Sequence, residues 1–333
     1  MKNLLLIILV FLINACSKDD SQSTILDPAK VNTVYVGGSQ MIGGKEKATI
    51  WKNGIAQLLA TDANNSSRVN SVFVSESDVY AVGFEVFPTV IRAVLWKNGT
   101  NIVLEYNSSE AYSIQVFKDK IYIVGQFDNK ATLWTNGNGN FANTNLTSTN
   151  PSIAKSVFLA NDGTYLTSIA IVGFVGTNAW TYINNNNILF TNTSVAESVF
   201  VRGSEVFVAV NIKVLGFETA SLKKNGVALN TEIPNSVMYS VHGDEQNIYA
   251  VGTINPNTTN SRATIWENYI PKQLSQIYSK ANSVFVADKN VYVAGWQYNN
   301  STSKYNACLW INGTVQTLSN EDCQVKSVFV TLQ

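Results

Sequence analysis

The chain has 333 residues, in which 23 Lys and Arg balance 23 Asp and Glu, and only 14% of its residues are charged. A nucleic-acid binder carries a basic excess that is missing here, so nucleic acid is excluded as a partner class. A single histidine, His242, excludes a histidine-built metal centre and leaves little room for a Ser-His-Asp arrangement; no cofactor is expected.

Residues 1–15 read as an export signal: Lys2 is basic, Leu4 to Ile13 is apolar, and a run of this length is too short to span a bilayer. Ile13-Asn14-Ala15-Cys16 resembles a bacterial lipobox, which makes Cys16 the lipidated first residue of the mature chain. Ser17-Lys18-Asp19-Asp20 resembles the short acidic tag that sends lipoproteins to the outer surface of the outer membrane. A periplasm-facing anchor is the alternative. Residues 16–30 are thus the anchor and linker, and membrane contact is expected through the lipid alone.

From residue 31 to 333 the chain repeats. Ser71, Ser113, Ser156, Ser198, Ser240, Ser283 and Ser327 are spaced 42, 43, 42, 42, 43 and 44 residues apart, most of them opening the phrase S-V-F-V. A period in the forties with strand-like content predicts a β-propeller. Residues 283–318 are the clearest copy: Ser283 to Val286, Val291 to Gly295, Ala307 to Trp310 and Val315 to Leu318 read as four short strands. The first two are continuous apolar runs, as strands buried on both faces between neighbouring blades must be. Asn53-Gly54, Asn98-Gly99, Asn136-Gly137, Asn225-Gly226 and Asn312-Gly313 supply the positive φ of tight hairpins. Gly37, Gly83, Gly125, Gly173, Gly252 and Gly295 end the second strands. Trp51, Trp96, Trp134, Trp266 and Trp310 hold one place in the third, taken by Tyr182 in the fourth copy and Lys223 in the fifth. They read as packing groups.

The second-strand motif occurs seven times, beginning at Val34, whereas the serine strand first appears at Ser71 and last at the C-terminus. The fold class is therefore all-β, a seven-bladed propeller of four-stranded blades in which the C-terminal strand completes the N-terminal blade. That closure removes the exposed edges of an open array. The protein is expected to be a monomer.

The phrases A-T-I-W-K-N-G (48–54), A-V-L-W-K-N-G (93–99) and A-T-L-W-T-N-G (131–137) resemble HAF-type extracellular repeats and kelch-like propellers. The resemblance covers about residues 31–333 and implies an exported bacterial repeat protein. Families of this shape include enzymes, glycan binders and scaffolds, so it implies no catalytic residue.

His242 replaces the phenylalanine of the serine phrase in the sixth copy, either as a group near the axis or as a packing substitution. Asp78, Asp119, Asp162, Glu205, Asp244 and Asp288 recur between first and second strands, where Asp caps tight turns. Cys308 and Cys323 both fall in the last copy; a disulfide between them and two separate buried thiols are both open.

The positions before the seven serines are Asn70, Tyr112, Lys155, Glu197, Tyr239, Asn282 and Lys326, varied where scaffold positions are nearly constant. They are the candidate ligand-binding ring at the mouth of the axis. Long neighbouring loops add Trp296 and Tyr298, with Phe87, Arg92, Arg262 and Tyr305. Aromatic faces beside amide and cationic donors suit a sugar. The leading reading is a binding module for a glycan or protein partner. The alternatives are a polysaccharide-acting enzyme using Glu85, Glu197 or Glu218, and an assembly scaffold without ligand.

Overall fold

The computed structural model describes residues 32–332 apart from 60, 61, 63, 138, 139, 185 and 215, and apart from the side chains of 191–193 and 214. The export signal, Cys16 and the linker lie outside the described residues. The remainder is a ring of seven antiparallel blades.

Blades 2 to 7 each begin with their innermost strand. Blade 2 runs Ser66–Ser75, Asp78–Val86, Ile91–Lys97, Thr100–Val103 from the axis outward. Blades 3, 6 and 7 repeat this order over residues 109–145, 236–273 and 279–319. Blades 4 and 5 share one 17-residue strand, Asn186–Arg202, whose first half is the outer strand of blade 4 and whose second half is the inner strand of blade 5. In blade 1 the inner strand is Cys323–Thr331, paired to Thr33–Ile42 from Gln40↔Cys323 to Thr33↔Thr331. The expected closure by the C-terminus is present.

The hairpins follow from their asparagines. Asn53 and Gly54 sit at φ 47° and 81°, the left-handed pair of a two-residue turn. Asn53 Oδ1 also accepts the Val34 amide at 2.8 Å. Asn98, Asn136, Asn184, Asn225, Asn268 and Asn312 make the same bond in the other six blades, so the side chain that permits the turn also fastens the start of the second strand. One detail differs from the sequence reading. Asn136 and Gly137 remain in the strand ladder opposite Phe141 and Asn140.

Seven apolar clusters fill the seven gaps between blades, each drawing residues from two neighbours. Trp51, Trp96, Trp134, Trp266 and Trp310 are fully buried in five of them. Blade 4 departs from the pattern. Tyr182 occupies the expected register opposite Ile171, but the indole buried between blades 3 and 4 is Trp180, opposite Gly173. In blade 5 Lys223 lays its ammonium 5.5 Å from the Phe190 ring.

Every inner strand carries a β-bulge at one place, between Val69 and Ser71 in blade 2 and at the equivalent points of blades 3 to 7. In blade 1 the ladder steps from Gly37↔Ser327 to Gly38↔Val325. The residue skipped is the one before the serine. A bulge drives the two backbones together: a Cβ on Gly83 would lie 1.9 Å from the Arg68 carbonyl oxygen, so only glycine fits there. This corrects the first-blade assignment. Gly38, 2.0 Å by the same measure from Gln324 O, is the equivalent position, and Gly37 is not.

Candidate functional site

The bulges build the axial mouth. Asn70, Tyr112, Lys155, Glu197, Tyr239, Asn282 and Lys326, the seven candidate binding residues, are the inserted residues of the seven bulges, and all line one axial cavity of about 180 Å³. A bulge re-aims the side chain it carries, which explains why this position escapes the constraints on its neighbours. Two places before the serines, Val69, Ala111, Ala154, Ala196, Met238, Ala281 and Val325 are wholly buried.

Below the mouth the serines form a ring. Ser327 Oγ accepts the Val72 amide at 3.1 Å, and Ser113, Ser156, Ser198, Ser240 and Ser283 accept the corresponding amide of the next blade at 3.1–3.4 Å. Each such bond contributes about 1 kcal/mol and satisfies an amide that the ladder leaves free. Deeper still lies an aromatic tier. Phe158, Phe200, His242, Phe285, Phe329 and Phe73 follow one another with ring centroids 4.5–5.2 Å apart. His242 Nδ1 accepts the Val286 amide at 3.2 Å, and burial between rings lowers its pKa to about 4. It is a neutral packing group facing the channel, not an acid or base.

The mouth residues differ in how firmly they are held. Asn70 donates to Glu110 Oε1 and Ala111 O at 3.0 and 2.9 Å, and Asn282 donates to Val325 O at 2.6 Å. The Tyr112 hydroxyl donates to Glu110 Oε2 at 2.8 Å while Lys155 lies 4.8 Å from its ring centroid. Lys155 also stands 3.9 Å from Glu197. Burial first, then the nearby carboxylates, push the Tyr112 and Tyr239 phenols well above their ordinary range. Both stay protonated donors.

Two wider cavities open from the mouth. One of about 340 Å³ lies between blades 7 and 1 and shares Asn282 and Lys326 with the channel. Its wall holds Trp296, Tyr305 and Tyr278, the rings of Tyr278 and Tyr305 standing edge-on to Trp296 at 5.1 and 4.8 Å. Tyr298 packs behind this wall, 5.2 Å from Tyr305, and does not line the cavity. The other cavity, about 310 Å³ across blades 4 to 6, shares Glu197 and Tyr239 with the channel and adds Glu218, Lys213 and Asn211.

Other expected loop donors are engaged elsewhere. Arg92 lies 4.1 Å from the Phe87 ring, and Arg262 donates to its own loop carbonyls of Thr259 and Ser261. Glu85 is buried in blade 2, accepting the Asp62 amide at 2.8 Å and Asn101 Nδ2 at 3.2 Å, away from the mouth. Asp162 and Asp244 accept amides of their own turns. Among the described residues no group of three His, Cys, Asp or Glu is placed to hold a metal ion.

Of the two possibilities left open for the cysteines, the structure has separate free thiols, and it corrects their placement: Cys308 lies in blade 7, whereas Cys323 lies in the inner strand of blade 1, in the gap on the other side of blade 7. Along the third strand of blade 7, Ala307 and Leu309 face blade 1 with Cys323, whereas Cys308 and Trp310 face blade 6. Cys308 Sγ donates to Asn306 O at 3.5 Å, and burial pushes its pKa up to about 12. Cys323 has a different role, which a second ring of serines explains. Ser67, Ser109, Ser152, Ser194, Ser236 and Ser279, each four places before a bulge serine, accept a third-strand alanine amide at 2.9–3.1 Å. Cys323 is the seventh member of that ring, beside the Ala307 amide. This ring was readable from the same period.

No protein-family model matches the chain, and no curated protein matches it. Solved structures resemble it in fold. The β-propeller domain of the Trilobed protease from Pyrococcus furiosus is 12% identical with a TM-score of 0.49, over 77% of this chain and 84% of that one. That domain has an open velcro topology, whereas here the C-terminal strand pairs into blade 1. Trypanosoma rangeli sialidase is 12% identical with a TM-score of 0.45, over 84% of this chain and 55% of that one. An acylaminoacyl peptidase of Pyrococcus horikoshii is 13% identical with a TM-score of 0.48, over 75% and 46%. The chain thus spans about half the length of the last two. At these identities the likeness concerns fold alone.

Proposed function

We propose that this propeller is a binding module for a glycan, held at the outer membrane by a lipid on Cys16 and facing the cell exterior. The observation that carries the reading is the contrast between tiers: a ring of serines, a second ring of six serines and Cys323, and an aromatic tier support one ring of seven bulged, dissimilar side chains. A scaffold needs the uniform rings only. The varied ring adjoins a cavity walled by Trp296, Tyr278 and Tyr305, whose flat apolar faces lie near amide, phenol and ammonium donors. That pairing of apolar face and polar edge matches a sugar ring.

The test is a glycan array probed with the purified protein. Retention of at least one saccharide class, reduced by both Tyr239→Ser and Trp296→Ala, is the expected result. Absence of retention on the whole array, together with a stable protein contact in pull-downs, would move the function to assembly.

A second reading rests on Glu197 and Glu218, which line one cavity. Two carboxylates in a cleft are the equipment of glycoside hydrolysis. Reducing ends released from a polysaccharide, and abolished by Glu197→Gln, would establish it over the binding module.

A further inference from the structure

The cavity between blades 7 and 1 has an uneven charge arrangement. Its carboxylates are occupied: Glu46 takes a two-pronged contact from Arg68 Nε and Nη2 at 2.8 and 2.7 Å, and Asp322 Oδ1 accepts the Tyr305 amide at 3.1 Å. Its two ammonium groups are not. Among the described residues, Lys280 makes no ion pair and rests 3.9 Å from the Tyr239 ring centroid, while Lys326 has neither a carboxylate nor a hydrogen-bond partner. Both lysines line the cavity, and Lys326 also lines the axial channel. By contrast, Lys97, Lys224 and Lys304 each have a carboxylate.

The groups facing Lys326 are Arg68, Lys280, Lys155 and Glu46, three cations against one anion already claimed by Arg68. Burial, then these cations, hold Lys326 at about 8, and burial likewise lowers Lys280. Glu197 and Glu218 offset part of the charge on Lys280, but the one anion near Lys326 is already held by Arg68, and keeping that ammonium group without counter-charge is unfavourable. An arriving anion relieves that cost and gains charge-assisted bonds to both.

Resting on the glycan reading above, we infer that Lys280 and Lys326 receive the acid group of an anionic sugar whose ring lies against Trp296 and Tyr305. The shared chemistry is a carboxylate or sulfate ester carried on a pyranose. The aromatic wall beside the lysines favours a sugar over an extended acidic peptide.

The experiment compares oligogalacturonate, its neutral methyl ester, a sulfated oligosaccharide and oligoglutamate by calorimetric titration of the purified protein at physiological ionic strength. Oligogalacturonate or the sulfated oligosaccharide should bind about 10- to 100-fold more tightly than the methyl ester, the loss expected for one or two charged hydrogen bonds. Which of the two binds better distinguishes uronate from sulfate. Lys326→Met and Lys280→Met should each erase that preference, whereas Trp296→Ala should weaken ester and acid alike. Equal affinity for ester and acid, or neutral hits alone on the array, would overturn the inference while leaving glycan binding intact. Oligoglutamate binding as tightly as the acidic sugars would overturn the assignment to a saccharide. Absence of any saccharide binding would remove the glycan reading itself. Both methionine variants are checked for an unchanged circular dichroism spectrum, so lost preference cannot be ascribed to unfolding.

Discussion

Lys326→Met should make the protein more stable, and the gain should fade with rising pH. The depression of Lys326 from 10.5 to about 8 corresponds to about 3 kcal/mol, a ceiling because the side chain keeps some contact with water. Below about pH 8 the lysine is charged in both folded and unfolded chains, and the native protein carries the whole cost. Between about 8 and 10.5 the folded chain loses its proton while the unfolded chain keeps it, so the unfolded state binds more protons and stability rises with pH. Above about 10.5 the cost is gone. For a ring of about 300 residues, 3 kcal/mol corresponds to about 5 °C in Tm. The assay is the Tm difference between variant and parent, followed by calorimetry from about pH 7 to 10.5. Tyr112 and Tyr239 titrate in both proteins, so the subtraction removes their contribution. Methionine adds a constant offset through packing, and only the pH-dependent part counts. A difference that stays flat across this range would refute the picture of an uncompensated cation in the mouth.

Three further outcomes follow from the fold and the lower tiers. Deleting 327–333 removes the buried Val328 and Val330 and the ladder to Thr33–Gly37; at about 2 kcal/mol per side chain plus the lost bonds, the ring should fail to show a cooperative melt. A truncated chain melting like the parent would contradict closure through blade 1. Cys323→Ser should leave Tm within about 1 °C of the parent, since it restores the residue used by the other six members of its ring; a drop of several degrees would assign the thiol a role of its own. His242 is held neutral, with a folded pKa of about 4 below its ordinary 6.5, so the parent should lose stability as pH falls from about 6.5 to 4. His242→Phe should abolish that part of the acid sensitivity, measured by urea unfolding at the two ends of the range.

Much of the fold was legible because a propeller repeats its physical problem seven times. The serine phrase marked the inner strands, the Asn-Gly pairs marked hairpins, and the unmatched strand at each end marked closure. What escaped was local. Ser71 and its equivalents were visible, but not that the residue before each is a bulge insertion, since an inserted residue looks like any other until its partner strand is laid beside it. Gly37 and Gly38 are adjacent, and only the carbonyl of Gln324 distinguishes them. The faces of Cys308 and Cys323 depend on which blade lies on which side of the sheet, beyond the reach of one hairpin's alternation.

The candidate site was legible as a ring and opaque as a pocket. The seven residues at its mouth were recognisable by their variability; Trp296 was visible as an aromatic, but it stands in the strand Asn290–Asn299 opposite Ala307 and not in the expected loop. Tyr278 and Lys280 were not, because they gain their place by lying across a blade boundary from Asp322 and Lys326. Charge pairing was equally hidden. Lys326 looks like Lys224 in the sequence, yet Lys224 contacts Glu205 and Lys326 contacts no carboxylate among the described residues.

The most direct measurement uses the tryptophans themselves. Of seven, six are buried in the gaps between blades, and Trp296 alone lies in the wall of the mouth cavity. Titrating the protein with a saccharide retained on the array should give a saturable change in tryptophan emission at the affinity found by calorimetry, and Trp296→Phe should abolish the change. Saturable binding with no change in emission, or the same change in the Trp296→Phe protein, would place the ligand elsewhere and contradict the account.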